Sequence, residues 1–389
     1  MADTLYLITV MGAMLLPAIL SKAFTLLALC SDESERDVNW HVYLRRMRTL
    51  NLLAVPVWWA LSGALIESGA KLNLIPDFPA WVLIIFPLSV GVTTARFLTI
   101  RTDRSIDGRH WTIADLFCLS LWSSFSSTVP LLLFAVGIDA LYDRSLFGVL
   151  WICGAGMIAT FAKAGLRSAE GLKPRLVKSG DLYKRSFVMA KQMGVRLIGV
   201  FVYPTGRGRL MNAHGGAGFI GMTDICIHWL HGAQLDFVIG HELAHVQQKH
   251  GQKERWIGAG SYLGIAALAL AVPHLPVVMQ VIFKFGVILI PLIAFYSVSR
   301  RFEFDADRIA VEFSGEGEAA IRALANLHYH AGVPFTYNKI DELFIAHPSF
   351  WKRINAIATV VQVPIESMTR IRQEFDQRVG FSGLPSEPE

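Results

Sequence analysis

Long apolar runs constrain this chain more than any other feature. Hydrocarbon offers no water to satisfy backbone N–H and C=O groups, so a run that spans it must close its hydrogen bonds within itself, as a helix. Seven apolar segments stand out, near Leu5–Leu29, Leu50–Ile66, Ala80–Ile100, Leu116–Ile138, Ser145–Ala162, Trp256–Val272 and Val277–Ser299. Most reach the roughly 17–25 residues that a span needs. Composition agrees: 53% of residues are hydrophobic, 17% are charged and the mean hydropathy is +0.43, whereas a soluble domain carries about 25% charge. The first segment is too long for a removable signal peptide and lacks a convincing small-residue cleavage site, so it is expected to remain as a span. The last two read as a hairpin broken at Pro273-His274-Leu275-Pro276.

Lys and Arg in short loops set orientation, because basic loops stay cytoplasmic. The first loop carries Arg36, Arg45, Arg46 and Arg48, and the third carries Arg101, Arg104 and Arg109. The alternate loops, near Lys71–Phe78 and Asp139–Arg144, hold one basic residue each. This predicts an N-terminus outside, and residues after the fifth span on the cytoplasmic side. Arg300 and Arg301, just after the seventh span, agree. The net charge of +5 follows from topology and anionic lipid, and no interleaving of basic and aromatic residues suggests nucleic acid.

Between the fifth and sixth spans lies His241-Glu242-Leu243-Ala244-His245, the H-E-x-x-H pattern, within a helical run from Gln234 to Gln248. One turn apart, His241 and His245 share a helix face and can bind one zinc ion together. Glu242 stands to the side of that face, where it can hold a water and take its proton as the water attacks a carbonyl. The approach residues Leu235, Phe237, Val238 and Ile239 imply a buried helix, and buried His and Glu are costly without a partner such as a metal.

A catalytic zinc takes three protein ligands and keeps one position open. Six residues after His245 stands Gly251, which has no side chain; His250 is one position off and reads as a surface residue. Glu254 would lie about 13 Å along the helix axis from His245, out of reach. No Asp or Glu occurs from Trp256 to Arg301, and the next acids are Glu303, Asp305 and Asp307. On a helix Glu303 and Asp307 share a face while Asp305 points elsewhere. Glu303 can complete the site, and Asp307 can accept the second ring N–H of a ligand histidine. Both flanks of a membrane hairpin return to one side, which lets residues so far apart in sequence meet.

The remaining segments read as a mixed region. A helix is expected at Asp181–Met193, then a strand at Val195–Tyr203, a Gly-rich turn at Pro204–Arg209 and a strand near Gly218–Ile227. His214 reads as a loop residue. Phe219, Ile220, Gly221 and Met222 offer a free edge on which an extended peptide can pair; the same residues also suit a covered core strand. Further helices are expected at Gly317–His330 and Trp351–Val361, then a charged helix and a disordered tail over 381–389. Cys30, Cys118, Cys153 and Cys226 have no paired spacing and read as reduced packing residues.

These residues together resemble the integral-membrane zinc endopeptidases that include the type I CAAX prenyl endopeptidases and the HtpX stress proteases. The resemblance rests on Asn212-Ala213, His241-Glu-Leu-Ala-His245, Arg301-Phe-Glu303-Phe-Asp-Ala-Asp307, and His347-Pro348 followed by Arg353, and covers about Val195 to Ile357. Five spans before the motif and two after look like the CAAX prenyl endopeptidase arrangement. The resemblance implies one zinc ion at His241, His245 and Glu303, with Glu242 as general base. It also implies His347 as a helper at the oxyanion, Arg353 near the active site, and Asn212 among the substrate-binding residues. For His347 a structural role before Pro348 is the alternative.

The expected fold is thus mainly α, a seven-span helical membrane protein with a gluzincin-type zinc peptidase domain carrying a small β-sheet. Its expected parts are a five-span region over 1–165, a peptidase region over 166–255, an inserted hairpin over 256–299 and the rest of the peptidase over 300–380. The expected activity is endopeptidase cleavage of membrane-associated or misfolded proteins at the cytoplasmic face of a bacterial inner membrane or the ER membrane. CAAX-type processing of prenylated C-termini and client binding without cleavage are the alternatives. A transporter is suggested only by span count and by Lys284 inside the seventh segment.

Overall fold

The computed structural model describes residues 2–30, scattered positions between 43 and 62, and 80–106, 112–143, 145–169, 174–204, 211–271, 276–330, 337 and 339–379. The expected span near Leu50–Ile66, the turn at Pro204–Arg209, the break at Pro273–Pro276 and the tail lie largely or wholly outside these residues. Two compact units emerge, one from residues 1–32, 39–172 and 256–295, the other from 33–38, 173–255 and 296–389.

The first unit is helical. Helices α1 (Ala2–Leu29), α2 (Ala80–Ile106), α3 (Ile113–Tyr142) and α4 (Phe147–Ala169) pack each against the next. Their core includes Trp59, Leu88, Val92, Leu132, Ile138 and Leu141. Outward, α1 exposes Leu7, Ile8, Met11, Leu15, Leu16 and Ile19, an apolar surface suited to lipid. Helices α3 and α4 approach so closely that a Cβ on Gly148 would meet the Gly137 carbonyl oxygen at 2.5 Å. Small residues allow such contact where helices must associate without a hydrophobic driving force.

Three described helical stretches are long and apolar enough to cross a membrane, Leu7–Leu27, Ser120–Leu141 and Phe285–Ser314. This falls short of the seven expected. Two shorter apolar stretches, Ile85–Thr99 and Phe147–Ile158, lie in the third and fifth expected segments. The physical reason is polarity within the helices: α2 carries Arg96, Arg101, Asp103 and Arg104, and α8 (His250–Ala271), which holds the sixth expected segment, opens with Lys253-Glu254-Arg255. Helix α9 (Val277–Ser314) includes Arg300, Arg301, Glu303, Asp305 and Asp307. Charges at that density are costly in hydrocarbon, so the uncharged apolar part of this helix ends before Arg300.

The second unit surrounds a four-stranded sheet in the order β1-β2-β4-β3, with β1 (Arg175–Val177), β2 (Gly199–Tyr203), β3 (Ala213–Gly216) and β4 (Phe219–Thr223). Strands β2 and β4 run parallel; β1 pairs with β2, and β3 with β4, antiparallel. The edge assigned to Phe219, Ile220, Gly221 and Met222 is therefore corrected: both sides of β4 are hydrogen-bonded, and Ile220 and Met222 are fully buried. The strand facing outward on that side is β3, which holds His214, so His214 is not a loop residue. Strand β4 stops at Thr223 rather than Ile227 because the Thr223 hydroxyl caps α6 (Asp224–Trp229), accepting from Cys226 N–H.

Helix α5 (Asp181–Gln192) packs on α7 (Ala233–Gln247), and α7 also packs on β3, β4 and α10 (Gly317–His330). Helix α10 in turn meets α12 (Phe350–Val361) and α13 (Ile365–Val379), and the short α11 (Lys339–Leu343) precedes α12. The shared core includes Phe237, Ile239, Leu243, Ala306, Ala310, Leu324 and Ile354. It clamps the middle of α7 against the second half of α9. Those two helices carry the candidate ligands.

Candidate metal centre

Helix α7 is buried from Leu235 to Ala244, with Asp236 half-exposed. Its depth forces His241 and Glu242 inside at 8% and 6% exposure. Across from it, α9 presents Glu303 at 8% and Asp307 at 1%, one turn apart. Asp305 faces out, half-exposed, with Oδ1 3.8 Å from Arg308 Nη2.

The ligand atoms converge. His241 Nε2 and His245 Nε2 lie 3.1 Å apart, and Glu303 places Oε2 3.6 Å from the first and Oε1 3.5 Å from the second. A tetrahedral zinc with bonds of about 2.0–2.1 Å holds its ligand atoms about 3.3 Å apart. The three side chains thus bring donor atoms, one from each residue, within 4.8 Å of one another, close to the spacing such an ion needs. Glu303 Oε2 is also shut from solvent without a hydrogen bond of good geometry, a condition that a bound cation relieves. These are the described residues whose donor atoms group as a metal site.

Each ligand histidine is backed differently. His241 Nδ1 sits 2.9 Å from Asp307 Oδ1, though not along an ideal hydrogen-bond line. Asp307 in turn accepts two bonds from Arg353, from Nε at 2.7 Å and Nη2 at 2.6 Å. Burial works against the Arg353 charge, but Asp307 and Glu303 outweigh it and raise its pKa. Behind His245 stands His250, with Nδ1 to Nδ1 at 3.0 Å.

The expectation of a surface His250 is overturned, since the residue is 2% exposed. Burial, followed by nearby cations, pushes it down to about 4. Its ring lies flat on Phe302, centroids 4.2 Å apart at 7°. Five residues after His245, it falls off the helical repeat. It returns because the chain breaks at Lys249, which adopts φ 54.

Burial raises the Glu242 pKa, which suits a carboxylate that accepts a proton. Gly215 on β3 runs against it: a Cβ there would meet the Glu242 carbonyl oxygen at 2.3 Å and Oε2 at 3.2 Å. Only glycine allows that approach. His214 Nε2 is 3.1 Å from the Tyr203 hydroxyl. Asn212 anchors β3 through its backbone: its N–H donates to Thr223 Oγ1 at 3.1 Å and its carbonyl accepts from Thr223 N–H at 2.9 Å. Its side chain is exposed.

His347 comes from the segment before α12. Its side chain is 63% exposed, yet Nδ1 reaches 2.9 Å from Glu303 Oε2, whose charge raises the His347 pKa. Cys226 is buried and its thiol is pushed up to about 12 by burial and by Glu242, which marks it as a packing residue. Cys118 and Cys153 on the first unit's helices, and Cys30 in the turn after α1, are exposed free thiols.

Residues 188–361 match peptidase family M48. Among solved structures, the chain is similar to the crystal structure of S. mikatae Ste24p, with a TM-score of 0.50 and 12% identity over 92% of this chain and 98% of that one. That likeness is one of fold. No curated protein sequence matches the chain.

Proposed function

We propose, from the match of residues 188–361 to peptidase family M48, that this chain is a membrane-embedded zinc endopeptidase acting on membrane-associated or misfolded proteins. The observation that carries the reading is the convergence of His241, His245 and Glu303 beside the buried Glu242. His241, His245 and Glu303 would hold the ion, which when bound polarises a peptide carbonyl and makes water more acidic.

The chain's own residues supply the rest. An extended substrate pairs with β3, and Gly215 brings that strand against Glu242. Glu242 takes the proton of the attacking water and delivers it to the leaving amine. Glu303 beside Nδ1 favours the doubly protonated ring, so that as the imidazolium His347 also carries a proton on Nε2 to donate toward the oxyanion that forms on the substrate. Arg353 fixes Asp307, and Asp307 fixes the His241 ring.

Glu242→Gln tests this directly, because it removes the base and spares every ligand. The variant should keep one zinc ion per chain and lose cleavage of an unfolded protein by a factor of about 10²–10⁴. Cleavage at the wild-type rate would remove Glu242 from the chemistry.

The same reading places seven spans in the bilayer, the N-terminus outside and the metal centre on the cytoplasmic side, following the bias in loop Lys and Arg. In a background without native cysteines, an impermeant thiol reagent applied outside should label Asp143→Cys and spare Gln252→Cys. Reversed labelling would put the metal centre outside.

A further inference from the structure

We infer that His250 is a positioning residue for the ligand His245, a role that rests on the metal-site reading above. His245 directs Nε2 toward His241 and Glu303. To ligate through Nε2 it must carry its proton on Nδ1, and a ring N–H in a buried site needs an acceptor. The atom at hydrogen-bond distance from that nitrogen is His250 Nδ1, at 3.0 Å. The His250 proton then resides on its Nε2, leaving Nδ1 free to accept.

The setting holds that ring in place. His250 is 2% exposed and stacks on Phe302, the residue just before Glu303. One imidazole therefore touches a ligand on α7 and the helix that supplies the third ligand. Lys253 Nζ also lies over the Phe302 ring, 5.7 Å from its centroid. The Lys249 that folds His250 back sits at φ 54, a left-handed conformation that favours glycine, so the contact is held against local strain. The two ligand histidines thus differ in backing, His241 by a carboxylate and His245 by a neutral ring.

The test compares zinc affinity, by chelator competition, in full-length wild type, His250→Phe, His250→Gln and His245→Ala, together with melting of each metal-stripped protein. Phe keeps the stacking on Phe302 and removes the acceptor; Gln restores an acceptor oxygen. His250→Phe should weaken zinc binding by about 10–100-fold with metal-free melting unchanged, and His250→Gln should recover most of the loss. Wild-type affinity in His250→Phe would overturn the inference. So would equal zinc loss in both His250 variants accompanied by equal loss of metal-free stability, which would assign the effect to packing. Wild-type affinity in His245→Ala would instead overturn the metal-site reading itself.

Discussion

The two units bury polar groups in different ways. In the helical unit the buried polar residues among those described are mostly hydroxyl-bearing, Ser21, Thr25, Ser62, Thr99, Ser120, Ser124 and Thr128, beside the buried Trp59 indole N–H that donates to Asp139. Several return their proton to a carbonyl one turn back, as Thr25 does to Ser21 at 2.8 Å and Thr99 to Ala95 at 2.7 Å. Such groups satisfy themselves locally at little cost. In the second unit the buried polar residues include His241, Glu242, His250, Glu303, Asp307 and Arg353, gathered at one place. None of these can satisfy itself within its own helix turn. Each requires a partner brought from another element or from a metal, so the chemistry of the protein is concentrated where burial is most expensive.

If that contrast holds, Arg353→Met should have the largest effect on stability, because it leaves the Asp307 carboxylate buried without its bidentate partner. Breaking a buried pair by removing one side costs about 3–5 kcal/mol, and the second unit should melt correspondingly lower. Little change would mean that Asp307 is neutral or solvated, and the contrast would fail. An intermediate effect is expected at His347, the exposed member of the centre. His347→Ala should lower kcat by a factor on the order of 10² and leave KM and zinc content near wild type. Lost thermal stability with normal turnover would make His347 a structural residue before Pro348. The smallest effect belongs to the helical unit. Ser21 donates to the Ala95 carbonyl on α2 at 3.1 Å, and Ser21→Ala should cost only about 0.6 kcal/mol in a membrane setting. A loss as large as that of Arg353→Met would erase the difference between the units.

Legibility in the sequence followed the same divide. Helices α7 and α10 could be read from periodicity, and the period of 3.6 also separates Glu303 from Asp305, which the structure places half-exposed beside Arg308. The strands β1 and β3 left little trace. Strand β3 is Ala-His-Gly-Gly, with no apolar alternation, and it exists because β4 pairs with it and Gly215 fits against Glu242. Its absence from the reading is why β4 was given the edge. His250 escaped for a geometric reason, since residues i and i+5 do not meet on a helix and only the break at Lys249 joins them. The seven membrane segments are legible as apolar runs, and among the described residues three stretches have the length and apolarity of a span, with charged residues lying within α2 and at the start of α8.

The most direct measurement is zinc content in purified Glu303→Ala and Asp305→Ala, two acids two residues apart on α9. The convergence of α7 and α9 predicts that Glu303→Ala loses bound zinc while Asp305→Ala retains one ion per chain. Equal zinc content in the two variants would contradict a metal centre built from His241, His245 and Glu303.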